Sequence, residues 1–160
     1  MQDLVEHLSI LLVEKGWKIA LAESCTGGLL AAAITHRPGS SEIFDRGYVT
    51  YSNEAKMECL GVSTTTLDRH GAVSDQTAEE MAIGALKNSK ADLAISITGI
   101  AGPDGGSDNK PIGLVYFGYA LKGGSSGSLH ENYRGTRDQI RSKAAATAMK
   151  SMIAILEEKL

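Results

Sequence analysis

The chain has 160 residues, with 16 Lys and Arg against 19 Asp and Glu, a net charge of −3, and 42% hydrophobic and 22% charged residues. This balance excludes a disordered or fibrous polymer and a chain-wide basic surface for nucleic acid, and the length suits one domain with a real core. Aromatics are only 5% while glycine reaches 18, so the core must be aliphatic and the backbone must turn or pack closely at many points.

The opening MQDLVEHLSILLVEKGWK is amphipathic, with Leu4, Val5, Leu8, Leu11 and Leu12 on one face, and predicts a helix over 1–15 ended by Gly16. It lacks the basic start, apolar block and cleavage site of a signal peptide. No stretch approaches the ~18 apolar residues of a spanning helix. Cys25 and Cys59 make neither a disulfide framework nor a metal quartet. A soluble cytoplasmic protein is expected.

KIALA reads as a strand that runs into ESCTGG, and LLAAAIT as a helix within 27–36, closed by Pro38 and Gly39. RGYVTYS has strand composition, and NEAKMECLG a short helix stopped by Gly61. The capping-box spacing of Thr65 and Asp68 predicts a further helical turn, and Ser74 caps a helix over 75–89. DLAISITG is the best buried strand, followed by the loop IAGPDGGSDNKP. IGLVYFGYAL and SLHENYRG are strands joined by a long KGGSSG turn. Thr136 and Gln139 box the start of a last helix, 137–158, with Ala144, Ala145, Ala148, Met152 and Ile155 on its packed side. The sum is one three-layer α/β/α domain over 1–160, with a mostly parallel sheet and an antiparallel edge near 129–134.

Three chemical clusters each follow a strand: AESCTGG, YSNEAK and TGIAGPDGGSDNKPIG. Ser24 can present a hydroxyl beside backbone N–H groups suited to an oxyanion, or can simply cap the following helix. Cys25 is a rival nucleophile or a small buried residue. Lys56, if buried, loses its proton readily and can serve as the base of a serine–lysine pair; otherwise it is an exposed helix lysine. Tyr51 can orient Lys56 or pack on the sheet. Thr98, Gly99, Gly102, Gly105 and Gly106 with Lys110 suit phosphate or carboxylate, without forming a Walker or dinucleotide fingerprint. Arg137 and Arg141 share a helix face that can hold phosphate or pair with Asp138. Glu23 and Asp104 can orient a basic group or meet a substrate cation, and His7, His36, His70 and His130 lack metal-site spacing.

The ordered blocks AESCTGGLLAAAITHRPGS, YVTYSNEAKMECLGV, GAVS, ITGIAGPDGG and KPIG closely resemble the C-terminal domain of the CinA competence/damage-inducible family, across almost the whole chain. The resemblance implies the activity of its standalone members, hydrolysis of the nicotinamide mononucleotide carboxamide to nicotinic acid mononucleotide and ammonia. It implies Ser24 as nucleophile, Lys56 as base and Tyr51 as its helper. It implies substrate binding by Thr26, Gly27, Thr98, Gly99, Ile100, Ala101, Gly102, Lys110, and Arg137 or Arg141. No metal or organic cofactor is expected, nor a nucleic-acid or membrane partner; a homodimer is. The separate N-terminal domain of longer members has no counterpart here, so its pyrophosphatase-type activity is not expected. The alternative is a non-catalytic nucleotide-binding module, which would bind without releasing ammonia.

Overall fold

Side-chain alternation along the central strands sets the layers. In a computed structural model describing residues 1–158, Ile19 and Leu21 of β1 (Ile19–Glu23) point into one core and Ala20 and Ala22 into another. β3 (Leu93–Gly99) repeats the pattern, with Leu93, Ile95 and Ile97 on the large-residue face and Ala94 and Ser96 opposite. Period-2 alternation with both faces buried is the mark of a sheet covered on two sides.

Against the large-residue face pack α1 (Gln2–Lys15), α2 (Leu29–Thr35) and α6 (Arg137–Leu156). The other face carries α3 (Asn53–Leu60), α4 (Thr64–His70) and α5 (Asp75–Lys87). With β2 (Phe44–Val49), β4 (Leu114–Leu121) and β5 (Ser126–Asn132), the sheet order is β2-β1-β3-β4-β5. β1 pairs in parallel with β2 and β3, while β4 runs antiparallel to both β3 and β5. Four strands therefore share a direction and only β4 opposes them. The chain is a single α/β domain of three layers with a mixed sheet, and the antiparallel pairing expected at one edge is that of β5 with β4.

Close approach explains why one face is lined by small residues. Ser96 donates its hydroxyl to the Ala78 carbonyl of α5 and accepts from the Gly118 N–H of β4. A Cβ on Gly118 would stand 1.9 Å from the Ala78 oxygen, and one on Gly84 of α5 would stand 1.9 Å from the Leu60 oxygen of α3. Glycine thus lets α5 touch both the sheet and the helix outside it.

The helix signals mostly act as their chemistry requires. The Ser74 hydroxyl accepts from the Thr77 N–H, and Thr136 and Gln139 form a reciprocal capping box. The start of α4 differs from expectation: Ser63, in extended conformation, accepts from the Thr66 N–H, and Thr65 already lies inside the helix. Ala144, Ala145 and Ala148 of α6 are buried in the chain's own core, on the packed side expected for that helix. Among the described residues no helix is long and apolar enough to cross a membrane.

Candidate active site

Parallel β1, β2 and β3 end at one edge, so the segments that follow them must meet there. β1 leads to β2 on one side, and β3 then pairs on the other side of β1; such a switch in strand order opens a crevice outside the strand C-termini. The ladder continues one step past the strands, with Ser24 N–H donating to Ile97 O at 2.9 Å and Thr50 N–H to Glu23 O at 2.9 Å. Ser24 and the Thr50–Tyr51 turn are therefore held by the sheet itself.

Ser52 caps α3 by accepting from the Ala55 N–H, which sets the helix direction immediately after that turn. One residue on, Lys56 points inward and is 1% exposed. Its Nζ lies 3.0 Å from Ser24 Oγ, 2.9 Å from Thr50 O and 3.3 Å from Tyr51 O. Burial holds the Lys56 amine below its ordinary lysine value of 10.5, and a Cys25 thiolate would act weakly in the opposite direction. Two of its three neighbours are carbonyls, which only accept, and the third is a hydroxyl that can do either. A neutral amine can thus keep both N–H bonds to the carbonyls while turning its lone pair to Ser24.

Glu23, 1% exposed, accepts from the Leu30 and Ala31 N–H groups at 3.0 Å each. It neither orients Lys56 nor faces a ligand; it caps α2 from the strand end. The open amides lie just before that helix, since no main-chain carbonyl among the described residues accepts from the Cys25 or Thr26 N–H. Thr26 Oγ1 and Thr50 Oγ1 are buried without a hydrogen-bond partner, although buried polar atoms normally have one. Burial pushes the Cys25 thiol up to about 11, more than the Arg141 guanidinium draws it down, so it is neutral near pH 7.

Beside this pair a cleft of about 230 Å³ is lined by Cys25, Tyr51, Gly99–Gly102, Asp104, Gly105 and Arg137. Arg137 crosses it, donating to Gly102 O at 2.6 Å and to the Tyr51 hydroxyl at 3.2 Å. The Tyr51 hydroxyl therefore faces Arg137, and only its carbonyl meets Lys56. Arg141 donates to the Cys25 and Thr26 carbonyls at 3.1 and 3.0 Å, bracing the serine turn and the adjoining Gly27. Thr98 and Lys110 are turned to another loop: the Thr98 hydroxyl donates to Ala72 O and the Lys110 ammonium to His70 O. Neither lines the cleft. A larger groove of about 410 Å³, between α1 and the end of α2, contains neither the Ser24–Lys56 pair nor the glycine-rich loop.

Thr50 escaped sequence reasoning because a main-chain carbonyl leaves no side-chain signature. Lys56 had one: it stands four residues before Leu60, and these two are the buried residues of α3. A lysine in the apolar stripe of a short helix is the detectable anomaly. Among the described residues no three His, Cys, Asp or Glu side chains gather to hold a metal ion.

The chain matches the CinA C-terminal domain family over residues 1–156. It is 49% identical over 153 residues to the nicotinamide-nucleotide amidohydrolase PncC of Enterobacter agglomerans, covering 96% of this chain and 93% of that protein. It is 52% identical over 156 residues to a putative competence-damage inducible protein of Caldicellulosiruptor bescii, covering 95% of this chain but 38% of the longer relative. The crystal structure of the competence/damage-inducible protein CihA from Agrobacterium tumefaciens superposes with a TM-score of 0.94 at 44% identity, covering 98% of this chain and 94% of that one. Sequence blocks, strand-end geometry and these likenesses agree: the chain belongs to the CinA C-terminal domain family.

Proposed function

We propose that this protein is a nicotinamide-nucleotide amidase that hydrolyses the carboxamide of nicotinamide mononucleotide by way of an acyl-serine. Near-full-length likeness to nicotinamide-nucleotide amidohydrolases supports the reaction class. The observation that carries the mechanism is the buried Lys56 Nζ at 3.0 Å from Ser24 Oγ.

In the first half-reaction neutral Lys56 takes the Ser24 proton as the oxygen attacks the amide carbon. The Cys25 and Thr26 N–H groups, which have no main-chain acceptor among the described residues, suit the tetrahedral oxyanion. The lysine proton then passes to the leaving nitrogen, and ammonia departs. Water attacks the acyl-serine with Lys56 again as base; the acyl C–Oγ bond then breaks, the lysine proton returns to Ser24, and nicotinic acid mononucleotide is released. Arg137, whose guanidinium has donors beyond its contacts to Gly102 and Tyr51, suits the phosphate, while Arg141 braces the turn behind the oxyanion donors.

The test is ammonia release from nicotinamide, its riboside and its mononucleotide. The mononucleotide should have the highest kcat/KM, because only it presents phosphate to Arg137. Folded Ser24→Ala should bind it without releasing ammonia. Equal kcat/KM for riboside and mononucleotide would remove the phosphate from this account, and near-normal turnover by Ser24→Ala would remove the acyl-enzyme. Saturable binding without ammonia release by the unaltered protein would favour a nucleotide-binding module.

A further inference from the structure

We infer that Asp104 is a specificity residue that reads the positive charge of the pyridinium ring, so that the site selects the cationic nucleotide over an uncharged one. The inference rests on the proposed substrate. Only Asp104 and Arg137, of the residues lining the cleft, are charged, and Cys25 is held neutral by its burial. Neither makes an ion pair among the described residues, with the other or with any third group. Arg141, by comparison, has Asp138 within 3.9 Å. Arg137 is held by a carbonyl and a hydroxyl, neither of which neutralises it, and Asp104 has no hydrogen-bond partner among the described residues.

One cleft thus offers separate, uncompensated charges of opposite sign. Nicotinamide mononucleotide has the same pattern, a cationic ring nitrogen and an anionic phosphate separated by a ribose. With the phosphate at Arg137, a carboxylate in the same cleft would only repel the ligand unless it met the ring cation. The loop supports this reading, since Gly102, Gly105 and Gly106 flank Asp104 and present no charge of their own. Removing the positive charge from the ring, as reduction to the dihydropyridine does, would lose the attraction and keep the repulsion of the phosphate. The cleft then discriminates by charge at the ring as well as by the carboxamide.

The decisive measurement compares two substrates by ammonia release. One is nicotinamide mononucleotide; the other is the 5′-phosphate of the benzamide C-riboside, whose phenyl ring carries the same carboxamide without a positive nitrogen. Intrinsic amide reactivity cancels when the ratio of their kcat/KM values is compared between the unaltered protein and Asp104→Asn. A charge pair in a partly solvated cleft predicts that Asp104→Asn lowers this ratio about fivefold, mainly through KM for the cationic substrate. Asp104→Glu should restore most of it, and added salt should shrink the difference. An unchanged ratio in Asp104→Asn would overturn the inference, because a merely structural role would lower both substrates together.

Calorimetric binding of the same two ligands to Ser24→Ala separates this inference from the reaction. If the unaltered protein releases no ammonia, the proposed reaction fails, and weaker binding of the cationic ligand alone by Ser24→Ala/Asp104→Asn would still support the charge reading. Equal loss for both ligands, or no binding of either, would overturn it.

Discussion

The buried pair and the cleft beside it are built in opposite ways. Around Lys56 most polar contacts involve main chain: the ladder bonds at Ser24 and Thr50, the Ala55 N–H on the Ser52 cap, and two carbonyls on the amine. In the cleft the contacts are made by side chains, with Arg137 reaching from the start of α6 to Gly102 and Tyr51 and the loop residue Asp104 left unpaired. A group whose proton must move is best held where nothing else can move, since reorganisation then adds little to the barrier. A group that only recognises charge tolerates solvent and flexibility. Chemistry is expected to fail abruptly on one side of this divide and recognition to weaken gradually on the other.

The largest effects should come from the buried pair. Ser24→Ala and Lys56→Met should each lower kcat by at least about a thousandfold with folding retained, and removing both should cost little more than removing one. Rates should rise with pH as Lys56 loses its proton, with a midpoint below the ordinary lysine value of 10.5. The same shift links to stability. Between the lowered folded value and 10.5 the unfolded lysine holds a proton that the folded one has lost, so the unaltered protein gains stability over Lys56→Met as pH rises through that window. Thermal melts of the two proteins across pH check the sign; a difference that stays flat would mean that Lys56 is charged in the folded state.

Next in size is a test of the scaffold. Gly84→Ala would set a Cβ 1.9 Å from the Leu60 carbonyl oxygen, and main chain cannot yield as a side-chain tip can. The helix that must give way is α3, which carries Lys56. A loss of about 2–3 kcal/mol in denaturant unfolding is expected. Turnover should fall more steeply than binding of the mononucleotide, because the lysine moves while the cleft residues stay. Equal loss of both would mean that α3 positions the cleft as well.

How far the sequence carried this reading follows the same divide. The layers were legible because Ile19, Leu21, Ile95 and Ile97 alternate with small residues, and the caps at Ser74 and Thr136 because capping chemistry is local. The parallel pairing of β1 with β2 and β3 brings the three clusters to one edge, and that each of them follows a strand was legible. The 32-residue span between Ser24 and Lys56 was not, since closing it depends on sheet order and on a turn whose active atoms are carbonyls. The charges of Lys110 and Glu23, which suit a ligand by residue type, meet the chain's own His70 carbonyl and α2 amides. Nothing in residue type tells an internal acceptor from an external one.

Tyr51 belongs to both regions and gives the smallest and sharpest test. Its carbonyl is 3.3 Å from Lys56 Nζ, while the residue as a whole is 62% exposed and its hydroxyl accepts from Arg137 at 3.2 Å. Tyr51→Phe removes the second contact and leaves the first, because any residue supplies the carbonyl. An exposed hydrogen bond to a guanidinium is worth little net, so KM for the mononucleotide should rise about two- to fivefold while kcat and its pH midpoint stay fixed. The riboside, without a phosphate for Arg137 to hold, should show no change in KM. A fall in kcat of more than about tenfold, with the pH profile displaced, would mean that the hydroxyl leaves Arg137 when substrate enters and joins the proton path. The boundary between the buried pair and the cleft would then run through the Tyr51 ring instead of between its main chain and its side chain.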